Sequence, residues 1–212
     1  MRRRRFIQLS AASLLPPSLA ALWAGQARAQ AASVDVDAIL HDPDAPTTGN
    51  PKGDVTIVAF LDYNCPYCKK SAPDLARVVR EDGRIRLVYK DWPILTKASV
   101  YGAQLALGAN YQGKYFEVHD ALMAIPGRQI PEERMLKAIQ STSVNLDQLS
   151  ADVNNRIGEI ADLLKRNSAQ ATSLGLQGTP TYLVGPLLAS TLDYPSFKRA
   201  VAEARRRQAG AK

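Results

Sequence analysis

Two cysteines, Cys65 and Cys68, are the only ones in 212 residues, and two residues separate them, Pro66 and Tyr67. That spacing admits three chemistries: half of a metal site, a stapled turn, or exchange of a disulfide with another protein. A zinc ribbon commonly uses two such pairs. Here there is one pair, and the two histidines, His41 and His119, lie at no helpful spacing. A soft ion such as Cu(I) held by both thiolates stays open as an alternative, although Met123 and Met135 are remote in the chain. A loop this small gains little from closure as a structural staple. Exchange chemistry requires that one sulfur be ionised and reachable, because the thiolate is the attacking species and also the leaving group.

The surrounding residues supply a means of ionising it. Val55 to Leu61 is a continuous apolar, β-branched run that reads as a strand buried on both faces. Cys65 to about Glu81 reads as a helix, with Leu75, Val78 and Val79 on one apolar face and Gly83 as its stop. Arg84 to Tyr89 alternates and reads as a second strand, which completes a βαβ unit. Cys65 then sits at a helix amino terminus, where free N–H groups and the helix dipole favour the thiolate. Such settings lower a cysteine pKa from about 8.5 to somewhere between about 3.5 and 7.5. Cys65 is expected to be exposed at the helix tip and to attack, with Cys68 one turn behind it, partly covered, as the resolving thiol. Pro66 suits a first-turn position. Pro73 stands inside the helix, where proline costs about 3 kcal/mol.

Downstream of this unit, residues 97–174 read as all helical: 98–109, 114–124, 132–139, and a long stretch, 146–174, that must break at least once. Thr181 to Val184 and Leu187 to Ser190 read as short paired strands around Gly185-Pro186, followed by a helix capped by Asp193 that runs from Tyr194 to about Arg206. Upstream, residues 30–53 are dense in Pro and Gly and read as loop, with one short helix over 33–40. Tyr63, Trp92 and Tyr67 are candidates to line a peptide groove, although aromatics near a site are more often core, and His119 reads as a structural histidine at a helix edge.

The amino terminus has its own order: Arg2 to Arg5, an apolar stretch to Ala24, then Ala27-Arg28-Ala29. This is the layout of a cleavable secretory signal over residues 1–29. Arg3-Arg4-Arg5-Phe6-Ile7 also resembles a twin-arginine motif, so export by either the Sec or the twin-arginine route is open. That segment carries five of the 27 Lys and Arg and none of the 20 Asp and Glu. The formal charge of +7 therefore falls to +2 without it, too little for a nucleic-acid surface. Export implies a compartment in which disulfides persist.

Taken together, the Cys-Pro-Tyr-Cys run after an apolar strand, Pro73 in the helix, and Gly178-Thr179-Pro180 before a late strand resemble the thioredoxin fold. The wording "LDYNCPYCKKSAP", "YKDWPIL", "GKYFEVHDALM" and "GLQGTPTYLVG" is similar to the DsbA-like subfamily that also contains ScsC-type proteins. The resemblance implies an α/β thioredoxin fold interrupted by an all-helical insertion. Its segments would be a signal peptide (1–29), an amino-terminal extension (30–53), the leading half of the thioredoxin domain (54–96), the insertion (97–174), the closing half of the thioredoxin domain (175–207) and a tail (208–212). It implies Cys65 as nucleophile and Cys68 as resolving thiol. It also implies a cis Pro180 against the pair, and Thr179 pairing with an extended substrate strand beside Pro66 and Tyr67. The implied function is a periplasmic dithiol oxidase acting on exported proteins and served by a membrane redox partner. It would be a monomer with no dissociable cofactor and no bound metal. The alternatives are a reductase or isomerase of the same fold, or the Cu(I)-handling protein above. Three departures shape the expectation. Ala59 stands where many relatives keep a buried acid, which leaves water or Asp62 for proton relay. Tyr67 replaces the His of strongly oxidising relatives. The segment before Asn50 is shorter than the trimerising arm of ScsC-type proteins.

Overall fold

A computed structural model describes residues 34–210; the signal-peptide expectation for 1–29 lies outside the described residues. The organising element is β2 (Val55–Leu61), whose sequence VTIVAFL is buried at six of its seven positions. It runs parallel to β3 (Ile85–Asp91), with α2 (Pro66–Asp82) as the crossover. Gly83 ends α2 in the left-handed region at φ 69°, returning its N–H to the Val79 carbonyl, the conformation for which glycine has no side-chain penalty. On the other side of β2, β4 (Thr181–Val184) pairs antiparallel, and β5 (Leu187–Ser190) pairs with β4. A short strand, β1 (Thr47–Gly49), lies at the outer edge of β3, so the sheet order is β1-β3-β2-β4-β5.

Alternation along the strands makes two cores. Ile57, Ala59, Leu61, Leu87 and Tyr89 face one side, with α2 and the later helices. Val58, Phe60, Val88 and Leu183 face the other, under Ile39 and Ala171. Ile39 comes from α1 (Val36–Leu40) and Ala171 from the end of α7 (Ile157–Ser173). Burying each large aliphatic side chain contributes about 1.5–3 kcal/mol, so both layers are needed to hold β2 in place.

Between β3 and β4 the chain is helical: α3 (Lys97–Asn110), α4 (Tyr115–Met123), α5 (Glu132–Ile139), α6 (Leu146–Asn155) and α7. Thr96 caps α3 by accepting the Ser99 N–H, and Asn145 caps α6 by accepting the Gln148 N–H. The break expected in 146–174 falls at Arg156, whose φ of −118° and ψ of 19° leave the helical path. Gly108 lets α3 approach α6: a Cβ there would stand 2.4 Å from Val153 Cγ2. The final helix α8 (Tyr194–Gly210) begins at Asp193, which accepts the Ser196 N–H, and packs on α2. Arg205 joins its carboxylate partners Asp54 and Asp82 across that contact.

Several expectations need correction. The 30–53 segment is not loop throughout, because β1 (Thr47–Gly49) pairs antiparallel with β3. Thr47-Thr48-Gly49, set between Pro46 and Asn50-Pro51, is too short to carry a strand signal of its own; β3 supplies it. Tyr63 and Trp92 are core side chains, 1% and 7% exposed, and line no groove. His119 is buried rather than at a helix edge: its Nδ1 lies 3.0 Å from Tyr63 Oη, and burial lowers its pKa to about 3, so the ring is neutral.

Candidate active site

Cys65 is the N-cap of α2, with extended backbone angles of φ −81° and ψ 114°, and its Sγ accepts the Cys68 N–H at 3.3 Å. Pro66 occupies the first turn of the helix, where its missing donor leaves nothing unpaired. The turn before Cys65 is braced from two directions. Asp62 Oδ1 accepts the Asn64 N–H at 2.7 Å, and Oδ2 accepts the N–H groups of Ile94 at 2.9 Å and Leu95 at 3.0 Å. Asn64 Oδ1 accepts the Ile130 N–H at 2.5 Å, while its Nδ2 donates to Thr96 Oγ1 at 2.8 Å. The helical insertion therefore grips the cysteine turn through one buried amide. Three backbone donors hold the Asp62 carboxylate as a brace of this turn.

The second wall comes from far along the chain. The Thr179–Pro180 peptide is cis, and the Cys65 thiol donates to the Thr179 carbonyl at 3.2 Å. Thr181 Oγ1 donates to the Gly178 carbonyl at 2.7 Å and ties down the loop. The structure thus gathers Cys65, Cys68, Pro66, Thr179 and Pro180, with Tyr67 beside them, 59% exposed. The expectation of an exposed Cys65 is corrected: the residue is 3% exposed. The Thr179 carbonyl covers its sulfur, and this cover is invisible to a local reading because it arrives from 114 residues away. The burial is shallow, since Pro66 and Tyr67 next to it are exposed, whereas Cys68 is fully buried.

These surroundings split the two thiols. The Cys68 thiol hydrogen-bonds to the Cys65 sulfur and lowers its pKa to about 6. Burial opposes that effect, while the Thr179 side chain and the N–H groups of Cys68 and Tyr67 reinforce it. Thr179 Oγ1 is buried with no partner of full hydrogen-bond geometry in this thiol arrangement, so its hydroxyl remains available to a thiolate. Burial, with the Cys65 sulfur alongside, pushes the Cys68 thiol well above the ordinary range. The surroundings thus favour the thiolate at Cys65 and the thiol at Cys68.

Sequence reasoning missed three residues. Asn64 was readable only as one of two Asx residues before a helix start. Lys69 Nζ donates to the Ile125 carbonyl at 2.8 Å and fixes the loop beyond α4. Ser71 Oγ lies 2.5 Å from the Tyr182 hydroxyl beneath the pair, and Tyr182 is opposite Ala59 in the sheet. Among the described residues no group of three or more His, Cys, Asp or Glu is placed to hold a metal ion, and no helix is long and apolar enough to cross a membrane.

Comparison with known proteins agrees with this geometry. A family model described as thioredoxin matches residues 41–203. A thioredoxin-like oxidoreductase from Silicibacter pomeroyi is 37% identical, with a TM-score of 0.75 over 81% of this chain and 98% of its own. The thiol-disulfide exchange protein alpha-DsbA2 from Wolbachia pipientis is 27% identical, with a TM-score of 0.73 over 79% of this chain and 90% of its own. A probable disulfide bond formation protein D from Bacillus anthracis is 25% identical, over 72% of this chain and 75% of that protein. A Na(+)/H(+) antiporter NhaA 1 from Salinispora arenicola is 30% identical across 68% of this chain, and the chain spans 22% of that protein's length.

Proposed function

We propose, from the premise that this chain belongs to the thioredoxin family and to its DsbA-like thiol–disulfide oxidoreductases, that it passes the Cys65–Cys68 disulfide to client proteins. A client thiolate attacks Cys65 Sγ, the bond to Cys68 breaks, and Cys68 leaves with the electron pair and takes up a proton. A second client thiolate then attacks the client sulfur of the mixed disulfide. The client closes its own disulfide, and Cys65 leaves as a thiolate. The pair has gained two electrons, which a membrane redox partner removes. The two sulfurs carry the oxidising equivalent, so no dissociable cofactor is needed. Thr179 pairs with the extended client beside Pro66 and Tyr67. The site of action is the periplasm, reached by the amino-terminal signal, and the working form is a monomer.

The observation that carries this reading is the Cys65 sulfur at the α2 tip, favoured as thiolate while Cys68 is not. A stabilised Cys65 thiolate is the better leaving group, and it stabilises the reduced pair, which is what makes a dithiol protein an oxidant. The name of the Bacillus relative supports the same direction.

Trapping tests the exchange step. A Cys68→Ser variant expressed with its signal should accumulate mixed disulfides at Cys65 that dithiothreitol releases, and a variant that captures no client would refute the reading. Equilibration with glutathione tests direction: the potential should lie above the about −270 mV of thioredoxin. A value below that would make the chain a reductase.

A further inference from the structure

A groove of about 750 Å³ begins at Pro66, beside the nucleophile, and runs along α2. One wall is Pro66, Lys70, Pro73 and Arg80; Met123 and Ile125 stand on the other. Met123, remote from the cysteines in sequence, thus shares a groove with Pro66. From Pro66 to Arg80 the helix rises about 21 Å, the span of about six residues of extended chain. Small thiols need no such length.

The charge of the groove distinguishes it from the helix surface around it. Lys69, Lys70 and Arg80 line it against one carboxylate, Asp120. Neighbouring arginines are paired: Arg77 with Glu81, Arg84 with Asp54, and Arg205 with Asp54 and Asp82. Lys70 and Arg80 have no ion pair among the described residues. Lys69 donates its hydrogen bond only to the uncharged Ile125 carbonyl. Pro73 adds a backbone feature, since it has no N–H to offer the Lys69 carbonyl one turn earlier, and both residues line the groove. The apolar wall of Met123 and Ile125, the excess of unneutralised cations and the length together suit a polypeptide rather than a small molecule.

We infer that this groove seats an extended, acidic segment of the client chain next to its reacting cysteine, and so selects acidic clients. The inference rests on the exchange function proposed above. The test uses two dithiol peptides, identical except that one carries Asp and the other Lys around its cysteines. Their oxidation by the oxidised protein is followed in stopped flow, with dithiothreitol as a third substrate. At low salt the acidic peptide should react about 10-fold faster than the basic one, and the ratio should shrink toward one as salt screens the groove. A Lys70→Glu, Arg80→Glu double variant should reverse the preference and keep the wild-type rate with dithiothreitol, which also shows that it is folded. Equal peptide rates with normal dithiothreitol oxidation would overturn the groove alone, as would an acidic preference that survives in the double variant. Failure to oxidise dithiothreitol would overturn the exchange function and the groove with it.

Discussion

Two buried polar constellations sit in the same sheet and behave oppositely. At the carboxyl end of β3, Lys90 is fully buried and its Nζ lies 2.7 Å from Asp42 Oδ2, while Arg166 from α7 adds contacts to both Asp42 oxygens at 3.0 Å. Burial alone would raise the Asp42 pKa, but the Arg166 and Lys90 contacts overcome it and hold the carboxyl at about 2. Arg166 also reaches Asp44 Oδ2 at 2.7 Å, so two cations meet two carboxylates, and the group is a clasp between the amino-terminal extension, the sheet and the insertion. At the end of β2, by contrast, Cys65 is ionised by N–H groups and a thiol, with no cation in hydrogen-bond contact. Full pairing makes the first cluster inert. Partial compensation leaves the second a group that can still gain by forming a bond.

The contrast can be broken at either end. The largest effect expected is in reactivity: at pH 7, iodoacetamide should modify Cys65 about 100-fold faster than Cys68, because only the thiolate attacks. The Cys65 rate should rise with a midpoint near pH 6, and mass spectrometry of quenched samples would reveal equal labelling if the split is absent. Next is the clasp. Asp42→Ala leaves Lys90 buried without its partner and should cost about 3–5 kcal/mol in denaturant unfolding. The Cys65 midpoint should stay put, and a shift in it would show the two regions to be coupled. Because the Asp42 pKa is depressed when folded, its stabilisation is present above the ordinary value of 3.8 and is lost as pH falls through about 2. Asn64→Ala, which strips the brace, should cost about 1–3 kcal/mol and move the Cys65 midpoint upward. An unchanged midpoint would reduce Asn64 to a purely structural role. The smallest effect belongs to Arg205→Ala: its carboxylate partners, Asp54 and Asp82, are 42% and 20% exposed, where Asp42 is 2% exposed. About 1 kcal/mol is expected, and a loss as large as that of Asp42→Ala would erase the distinction between buried and exposed pairing.

What could be read from the sequence was local. β2 and β4 announced themselves through apolar runs, and the insertion through an unbroken series of helical segments with no strand signal. The position of Cys65 at a helix start followed from the strand that ends before it. The residues that could not be read are those whose meaning lies in a distant partner. Asp42 looked like a piece of a Pro-rich loop until Lys90 and Arg166 were placed on it, 48 and 124 residues away. Thr47 to Gly49 became a strand only because β3 offered an edge. Cys65 was expected in the open because a helix tip is open until another loop is laid across it. Tyr63 and Trp92 went to the core because distant partners meet them there, His119 at the Tyr63 hydroxyl and Phe60 edge-on to the Trp92 ring, whereas Tyr67, at the helix tip, stays exposed.

The pairing of β2 with β4 has one more consequence, in time rather than in space. The Thr179 carbonyl that covers Cys65 lies 114 residues further on. At the usual pace of a ribosome, about 5–20 residues per second, that interval lasts roughly 6–23 s. Throughout it, the newborn chain carries both thiols with half of their shelter still unmade.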